Sequence, residues 1–282
     1  LLDYPGFNMK VASLARAAGV PVLYYITPQV WAWGSTRLPE LARIVTKAAC
    51  ILPFEESLLR AHGIDATFVG HPLLDRAHAL PTRAEARVQL QLPPEGPVLA
   101  VFPGSRAQEL ARHLPDAIAT AQQVRAARPD VTVVVAGAPT VTLRDDDVPF
   151  RIVRASSFPV LRAADAALCK SGTTTLEAAV ADCPLVVVYR THRITYALAR
   201  RVVRIPRIGL VNVVADEAVA PEFVQRDFAP PAVAAALLPL LDAGSAARAT
   251  MLAGLAHVRA RLGSPGASAR VAAMADAMLS AT

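Results

Sequence analysis

Short apolar runs alternate with helix-forming stretches through the middle of this chain, and this alternation restricts its fold more than any other feature. PVLAVF, VTVVVAG, DAALC and PLVVVY are almost entirely apolar, without the polar alternation of a half-exposed strand. Strands of this kind are buried on both faces, as in a parallel sheet covered by helices on both sides. The region from about Val98 to Val214 therefore predicts one doubly wound α/β domain.

Three shorter apolar runs precede this domain. VPVLYY, AACIL and ATFVG predict strands separated by helices, as in the second half of another α/β domain. They occupy roughly 75 residues, about half of a typical domain, and the chain begins with leucine, so we expect an N-terminal truncation. Alanine, leucine and arginine dominate after Pro230 and predict closing helices. The predicted segments are 1–80, 81–230 and 231–282.

The charge balance points to anionic partners. The 29 Lys and Arg exceed the 23 Asp and Glu, giving a net charge of +6, which favours phosphate groups or an anionic membrane surface. A genome rich in G and C would produce the same arginine content without any such partner. No apolar run is long enough to span a bilayer. The three cysteines lie in apolar runs without CxxC spacing, which predicts buried thiols in a reducing compartment.

Two loops follow predicted strands and open predicted helices, where anions bind in α/β folds. In PGSR, Gly104 permits a close backbone approach, Ser105 is predicted to cap the helix, and Arg106 can neutralise a phosphate. In KSGTTTLE, a backbone anion site is predicted at Ser171, Gly172 and Thr173. Neither loop matches a P-loop or a dinucleotide fingerprint. The alternative is that both are ordinary turns with well-capped helices.

Single polar residues add further candidates. Glu177, one turn into the second of these helices, has the reach to bind two ribose hydroxyls. Asp3 follows two leucines at a predicted strand exit and is either a general base or a solvated turn residue. His71, in VGHPLLD, is a phosphate donor, a base or a cap.

Three other patterns have two interpretations each. The arginine-rich segment after Arg190 places Arg193, Arg200 and Arg204 on one helical face, either for an anionic membrane or for a solvated helix face. Trp31 and Trp33 either contact acyl chains or a sugar, or pack between domains. The run 145–147 has a DxD spacing but lies in a surface connection, and no zinc-type cluster is present, so we expect no metal.

Five blocks, taken in order, resemble the lipid-A-disaccharide synthase family. They are YYITPQVWAWG, LPFEESLLRAHGIDATFVGHPLLD, VFPGSRAQEL, KSGTTTLEAAVADCPLVVVYR and GLVNVVADEAVAPEFVQ. The resemblance implies a GT-B fold: two Rossmann-like doubly wound domains facing a cleft, here with the N-terminal one incomplete. It also implies an inverting, metal-free glycosyltransferase without cofactor. Such an enzyme joins UDP-2,3-diacylglucosamine to 2,3-diacylglucosamine 1-phosphate at the cytoplasmic face of the inner membrane, and binds no nucleic acid.

The resemblance also implies roles for individual residues. Asp3 matches the family's base and Arg106 a nucleotide- or phosphate-binding residue, while His71 joins the substrate-binding candidates. The UDP-binding block matches Ser171, Gly172, Thr173 and Glu177, followed by Asn212. Three positions depart from the family pattern: Gly6 stands for a usual aspartate, Lys170 for alanine and Val211 for proline.

Two other functions remain open at this point. A UDP-N-acetylglucosamine 2-epimerase has the same two-domain fold and a similar nucleotide loop. The family's N-terminal glycine-rich loop is absent from this sequence, so we expect the chain alone to be inactive. An inactive nucleotide-sugar-binding fragment is therefore the third possibility.

Overall fold

A computed structural model describes residues 1–32, 34–77, 79–192, 195–196 and 206–280. The described residues form two compact units. The first unit contains the described residues within Leu1–His78, Ala197–Pro206 and Ala260–Thr282. The second unit contains the described residues within Ala79–Tyr196 and Arg207–Arg259. Trp33 and the arginine-rich face of Arg193, Arg200 and Arg204 lie outside the described residues.

Both units are built from strands and helices in alternation. The strands are β1 (Leu23–Tyr25), β2 (Lys47–Cys50), β3 (Ala66–Phe68), β4 (Val98–Phe102), β5 (Thr132–Ala136), β6 (Arg151–Val153), β7 (Ala166–Lys170), β8 (Leu185–Tyr189) and β9 (Glu222–Val224). The α-helices are α1 (Pro5–Ala17), α2 (Leu38–Ile44), α3 (Glu55–Arg60), α4 (Leu73–Ala77), α5 (Arg83–Gln89), α6 (Ala107–Ala127), α7 (Ser157–Ala163), α8 (Thr174–Val180), α9 (Leu210–Ala215), α10 (Pro230–Leu237), α11 (Ala246–Arg261) and α12 (Ala267–Ser280).

The first unit has a parallel sheet in the order β1-β2-β3, which confirms the three short strands predicted for this region. Leu2 pairs in parallel with Tyr25, and the Asp3 N–H donates to the Tyr25 carbonyl at 3.0 Å. Leu1 and Leu2 thus extend the sheet beyond β1. Asp3 therefore lies at the edge where the parallel strands end, as its position after two leucines predicts.

The second unit has a six-stranded, all-parallel sheet in the order β6-β5-β4-β7-β8-β9. The first four residues of β4, β7 and β8 are buried, as apolar runs without polar alternation predict. The doubly wound α/β domain is confirmed. β9 was not predicted, because its sequence, EFV, is short, carries a glutamate and is only half buried at the sheet edge.

The order of these strands creates a topological switch point. From β4 the chain proceeds outward through β5 and β6, then returns to β7 on the other side of β4 and continues through β8 and β9. The loops after β4 and β7 therefore leave neighbouring strands toward opposite halves of the sheet. Such a point opens the crevice in which α/β proteins bind ligands.

The closing helices divide between the two units. α10 packs on α6 in the second unit, whereas α12 belongs to the first. At the start of α12, the N–H groups of Gly266 and Ser268 donate to the Asp75 carboxylate, and Arg270 donates to the Val69 carbonyl at 2.9 Å. These bonds attach the last helix to the first unit. The division into 1–80, 81–230 and 231–282 stays a prediction.

A buried ion pair secures the amino ends of β4 and β7. Arg87 is 2% exposed and donates to Asp165 Oδ2 at 3.0 Å and to the carbonyls of Ala163 and Gly96 at 3.1 and 2.9 Å. The same carboxylate oxygen accepts the Val98 N–H at 2.9 Å. Arg87 therefore links α5 to the beginning of both central strands.

The three cysteines, Cys50, Cys169 and Cys183, are all buried and free, as their apolar surroundings predict. Burial raises the pKa of the Cys50 and Cys183 thiols to about 12. Within the described residues, no single helix has the length and apolar composition to cross a membrane. The pair Pro230–Leu241 and Ala246–Arg261 meets those criteria jointly but is bent by 85°.

Candidate functional site

The β4–α6 loop requires glycine at position 104. Gly104 has φ of +131°, a conformation that side chains rarely adopt, and a Cβ there would lie 2.7 Å from the Cβ of Glu109. The backbone can make this close turn only without a side chain. The loop thereby delivers Ser105 and Arg106 to the carboxyl end of β4.

Glu109, which sequence reasoning missed, joins the β4–α6 loop to the end of β7. Its carboxylate accepts the Ser105 N–H at 2.9 Å and lies 3.0 Å from Lys170 Nζ and 3.4 Å from Arg106 Nη1. A glutamate at the third position of a helix commonly reaches back to N–H groups before it, which is the signal that would have identified this residue.

The charge of Glu109 follows from these contacts. Burial by itself raises the pKa of the carboxyl group, but the Ser105 N–H and Lys170 outweigh burial, so the pKa lies below its usual value. Glu109 is therefore ionised at neutral pH. The Arg106 side chain is 81% exposed and available to an incoming anion.

The predicted helix cap at Ser105 is wrong. α6 begins one residue later than that prediction requires, with Arg106 at the N-cap and no side-chain cap. Ser105 instead uses its backbone: the N–H donates to Glu109, and the carbonyl accepts the Thr140 hydroxyl at 2.6 Å.

The β7–α8 loop is held by hydroxyl groups. Ser171 Oγ donates to the Ile208 carbonyl at 2.8 Å, and Thr175 Oγ1 donates to the Gly172 carbonyl at 2.8 Å. Thr173 is exposed at the N-cap of α8 without a side-chain cap bond, and Glu177 is half-buried one turn later. Of the three predicted anion-binding residues, Thr173 is exposed to solvent, and Ser171 and Gly172 are half-buried.

Asn212 is buried and its side chain is engaged. Its Nδ2 donates to the Ala220 carbonyl and to Glu222 Oε1, both at 2.7 Å, and its Oδ1 accepts the Ala220 N–H at 2.8 Å. Glu222 also accepts the N–H groups of Ile208 and Gly209, both at 2.9 Å. These bonds position the start of α9, and a direct contact of Asn212 with substrate stays a prediction.

His113 connects α6 to the end of β8. Its Nδ1 donates to the Glu109 carbonyl at 2.7 Å, and its Nε2 accepts the Arg190 N–H at 2.8 Å. Burial lowers the pKa of this histidine, so it is neutral near pH 7. The Arg190 guanidinium pairs with Asp116 and donates to the Phe228 carbonyl at 2.8 Å. The carboxyl ends of β4, β7 and β8 thus belong to one bonded network.

A cavity of about 560 Å³ lies beside this network at the carboxyl ends of β5 and β6. Its wall includes Gly137, Ala138, Pro139, Arg154 and Ser156. The segment that follows Pro139 is joined to the β4–α6 loop by the Thr140 hydroxyl. The cavity therefore continues the same edge of the sheet and is large enough for a planar base.

In the first unit, Asp3 presents an exposed side chain from a fixed backbone. Its carbonyl accepts Asn8 Nδ2 at 2.6 Å and the Tyr24 hydroxyl at 2.8 Å. Asp3 and Tyr4 both have positive φ, at 45° and 41°, which turns the chain sharply before α1. The carboxylate is thereby held at the carboxyl edge of the sheet and is open to solvent.

His71 lies at the same edge, after β3. It is 5% exposed, and its Nδ1 accepts the Leu73 N–H at 3.2 Å at the start of α4. Burial lowers the pKa of the ring to about 4, so the imidazole is neutral with its proton on Nε2. This bond is the predicted cap, whereas contact of His71 with a substrate stays a prediction.

Trp31 is packed within the first unit. Its indole N–H donates to Glu55 Oε1 at 3.0 Å, and its ring meets Phe54 edge-on at 5.1 Å. Glu55 is 3% exposed and accepts the N–H groups of Ile51 and Leu52 at 3.2 and 3.0 Å. Glu55 therefore ties the loop after β1 to the start of α3.

This buried carboxyl group makes stability depend on pH. Burial raises the pKa of Glu55 from 4.5 to about 7, against the three donated hydrogen bonds. Since the folded pKa is the higher one, the group stabilises the fold fully below about pH 4.5 and loses that contribution as pH rises through 7. We expect the free energy of unfolding, relative to Glu55→Gln, to fall by about 3 kcal/mol from pH 4.5 to 8. Urea unfolding of both proteins measures the difference, and a flat difference would contradict the shift.

Metal ligands are not grouped in the described part of the chain: no three His, Cys, Asp or Glu side chains there are placed to hold an ion. The Asp145–Asp147 run forms a single 3₁₀ turn, and Asp145 pairs with Arg154 at 3.0 Å.

Comparison with known proteins assigns the family. The family model described as lipid-A-disaccharide synthetase matches residues 1–271. A lipid-A-disaccharide synthase of Anaeromyxobacter sp. (strain K) is 42% identical over 280 residues, covering 96% of this chain and 73% of that protein. One of Geobacter sulfurreducens is 38% identical over 286 residues, covering 99% and 74%. The chain belongs to the lipid-A-disaccharide synthetase family.

Solved structures share the fold at low sequence identity. A putative UDP-N-acetylglucosamine 2-epimerase from Listeria monocytogenes has a TM-score of 0.64 at 12% identity, covering 97% of this chain and 72% of that one. S. aureus MnaA, in a co-structure with UDP, has a TM-score of 0.63 at 11% identity, covering 93% and 70%. These likenesses confirm the GT-B type of fold. Because they show the fold alone, the family decides between transferase and epimerase: the chain is a glycosyltransferase of lipid A biosynthesis.

The synthetase motifs meet at the topological switch point of the second unit, between β4 and β7. Glu109 links the Pro-Gly-Ser-Arg loop to Lys170, which precedes the Ser-Gly-Thr block. Val211 donates its N–H to Thr175 Oγ1 at 3.4 Å, a bond that a proline at this position would be unable to make. The asparagine block is thereby attached to the Ser-Gly-Thr block as well.

Proposed function

We propose that this glycosyltransferase joins UDP-2,3-diacylglucosamine to 2,3-diacylglucosamine 1-phosphate, at the cytoplasmic face of the inner membrane, and releases UDP. One observation above all supports the proposal: the two anion-binding loops of the second unit flank its topological switch point and share Glu109. A diphosphate has two phosphate groups, and two loops that lie side by side can each donate hydrogen bonds to one of them.

The donor nucleotide is proposed to lie along the carboxyl edge of the second sheet. Arg106 is exposed and able to bind phosphate oxygens with two parallel hydrogen bonds. The backbone at Gly104, Ser105, Gly172 and Thr173 allows the diphosphate to approach closely. Glu177 orients the ribose, and the cavity at Gly137 and Arg154 accommodates the uracil.

The acceptor is proposed to react through Asp3. The carboxylate removes the proton from the acceptor 6-hydroxyl, and the oxygen attacks the anomeric carbon of the donor sugar from the face opposite UDP. The bond between that carbon and the diphosphate oxygen breaks, and its electron pair remains on UDP. Arg106 stabilises this charge. His71 and Asn212 remain in the proposed substrate-binding set, with Asn212 acting through the position of α9.

An assay of UDP release tests the proposal. The protein that carries this sequence is incubated with both acylated substrates, with each substrate alone and with UDP-N-acetylglucosamine. We expect UDP only when donor and acceptor are both present, together with a disaccharide 1-phosphate. Conversion of the unacylated sugar nucleotide would show an epimerase, and binding of UDP without any turnover would show a nucleotide-binding remnant.

A further inference from the structure

Lys170 is the last residue of β7, immediately before the β7–α8 loop. Its side chain is 16% exposed, and its Nζ lies 3.0 Å from Glu109 Oε1. The same nitrogen lies 3.4 Å from the place where a Cβ would stand on Gly172. The ammonium group is therefore held between the β4–α6 and β7–α8 loops.

The charges around Glu109 do not cancel. One carboxylate faces two cations, Lys170 and Arg106, and it also accepts the Ser105 N–H. An ammonium group has three N–H donors, and within the described residues Glu109 is the only acidic partner of Lys170. Two of its donors thus remain for another acceptor. Lys170 and Arg106 together carry two positive charges against the single negative charge of Glu109.

We propose that Lys170 is a ligand of the donor's diphosphate, held in place for it by Glu109. This inference rests on the proposed function and deepens it, since it names a side chain that contacts the phosphate. Glu109 fixes the lysine by one hydrogen bond, and the remaining N–H groups donate to oxygens of the phosphate attached to the sugar. When that phosphate leaves with UDP, it gains negative charge, and Lys170 and Arg106 together stabilise this charge.

A purely structural cross-link would have different consequences. If Lys170 only joined the two loops, its loss would disturb the site as a whole and weaken uridine, UMP and UDP alike. If it contacts the second phosphate, its loss weakens UDP most, because UMP and uridine lack that phosphate. The three ligands therefore separate the two roles.

The test is calorimetric titration of the protein with UDP, UMP and uridine, before and after Lys170→Ala. Lys170 is the last residue of β7 and is only partly buried, so the variant is expected to fold. We expect the Kd for UDP to rise about 10- to 100-fold, the range of one charge-assisted hydrogen bond, with the UMP and uridine constants within about threefold. Lys47→Ala is the matched control, since Lys47 pairs with Asp65 at 2.7 Å in the first unit, and it is expected to bind all three ligands unchanged.

Three results would refute either the role of Lys170 or the proposed function. Unchanged UDP affinity in Lys170→Ala, with normal binding by the unmodified protein, would refute the role of Lys170 and leave the proposed function standing. An equal loss for all three ligands would also refute it, in favour of the structural cross-link. No UDP binding by the unmodified protein would instead refute the proposed function.

Discussion

Asp3→Asn is expected to lower kcat by about 10²- to 10⁴-fold, the usual contribution of a general base. Asparagine has nearly the same shape but cannot accept the proton from the attacking hydroxyl. The backbone at this position is held by Asn8 and Tyr24 through the Asp3 carbonyl, so the substitution leaves the turn intact. Initial rates of UDP release with both acylated substrates measure the effect.

Two further measurements make this result specific. The affinity for UDP should remain within about twofold, because the nucleotide is proposed to bind through the second unit. Asp65→Asn, which removes an exposed carboxylate of the first unit from its pair with Lys47, is the matched control and should keep its kcat. Turnover of Asp3→Asn close to that of this control would exclude Asp3 as the base.

Arg87→Ala is expected to destabilise the second unit by about 3–5 kcal/mol, the cost of breaking a buried ion pair. The guanidinium is 2% exposed, and its removal leaves the Ala163, Pro94 and Gly96 carbonyls without their donor. Asp165 loses one of its buried partners at the same time. Urea unfolding monitored by circular dichroism measures the change in free energy.

Arg83 offers a matched comparison on the same carboxylate. It pairs with Asp165 Oδ1 at 2.6 Å, but its side chain is 46% exposed. An ion pair so open to solvent contributes at most about 1 kcal/mol. Arg83→Ala should therefore cost far less than Arg87→Ala, and equal losses would show that burial does not determine the contribution of this cluster.

Sequence patterns predicted what local hydrophobicity determines. The strands that are buried on both faces, β4, β7 and β8, are apolar runs, and their alternation with helices was sufficient for the parallel sheet. β9 was not predicted, because an edge strand of three residues buries too little surface to require an apolar run. The candidate anion-binding turns were found for a related reason: glycine, small hydroxyl residues and arginine after a strand are a local signal.

The contacts between those turns were not predictable in the same way. Glu109 and Lys170 are far apart in sequence, and only the return of the chain to β7 beside β4 brings them together. His113 was missed because a histidine within a helix gives no sign that its two nitrogens bond to different elements. Asn212 shows the converse, since a polar residue in a family motif is used here for internal bonds.

The environment of the cysteines has a practical consequence for experiments on substrate binding. With a pKa of about 12, the Cys50 and Cys183 thiols have a reactive fraction of about 10⁻⁵ at neutral pH, and Cys169 is equally enclosed. We therefore expect maleimide reagents not to label the native protein. A single cysteine introduced at Val88, which is 77% exposed, would accept a fluorophore at one known position without removal of any natural thiol.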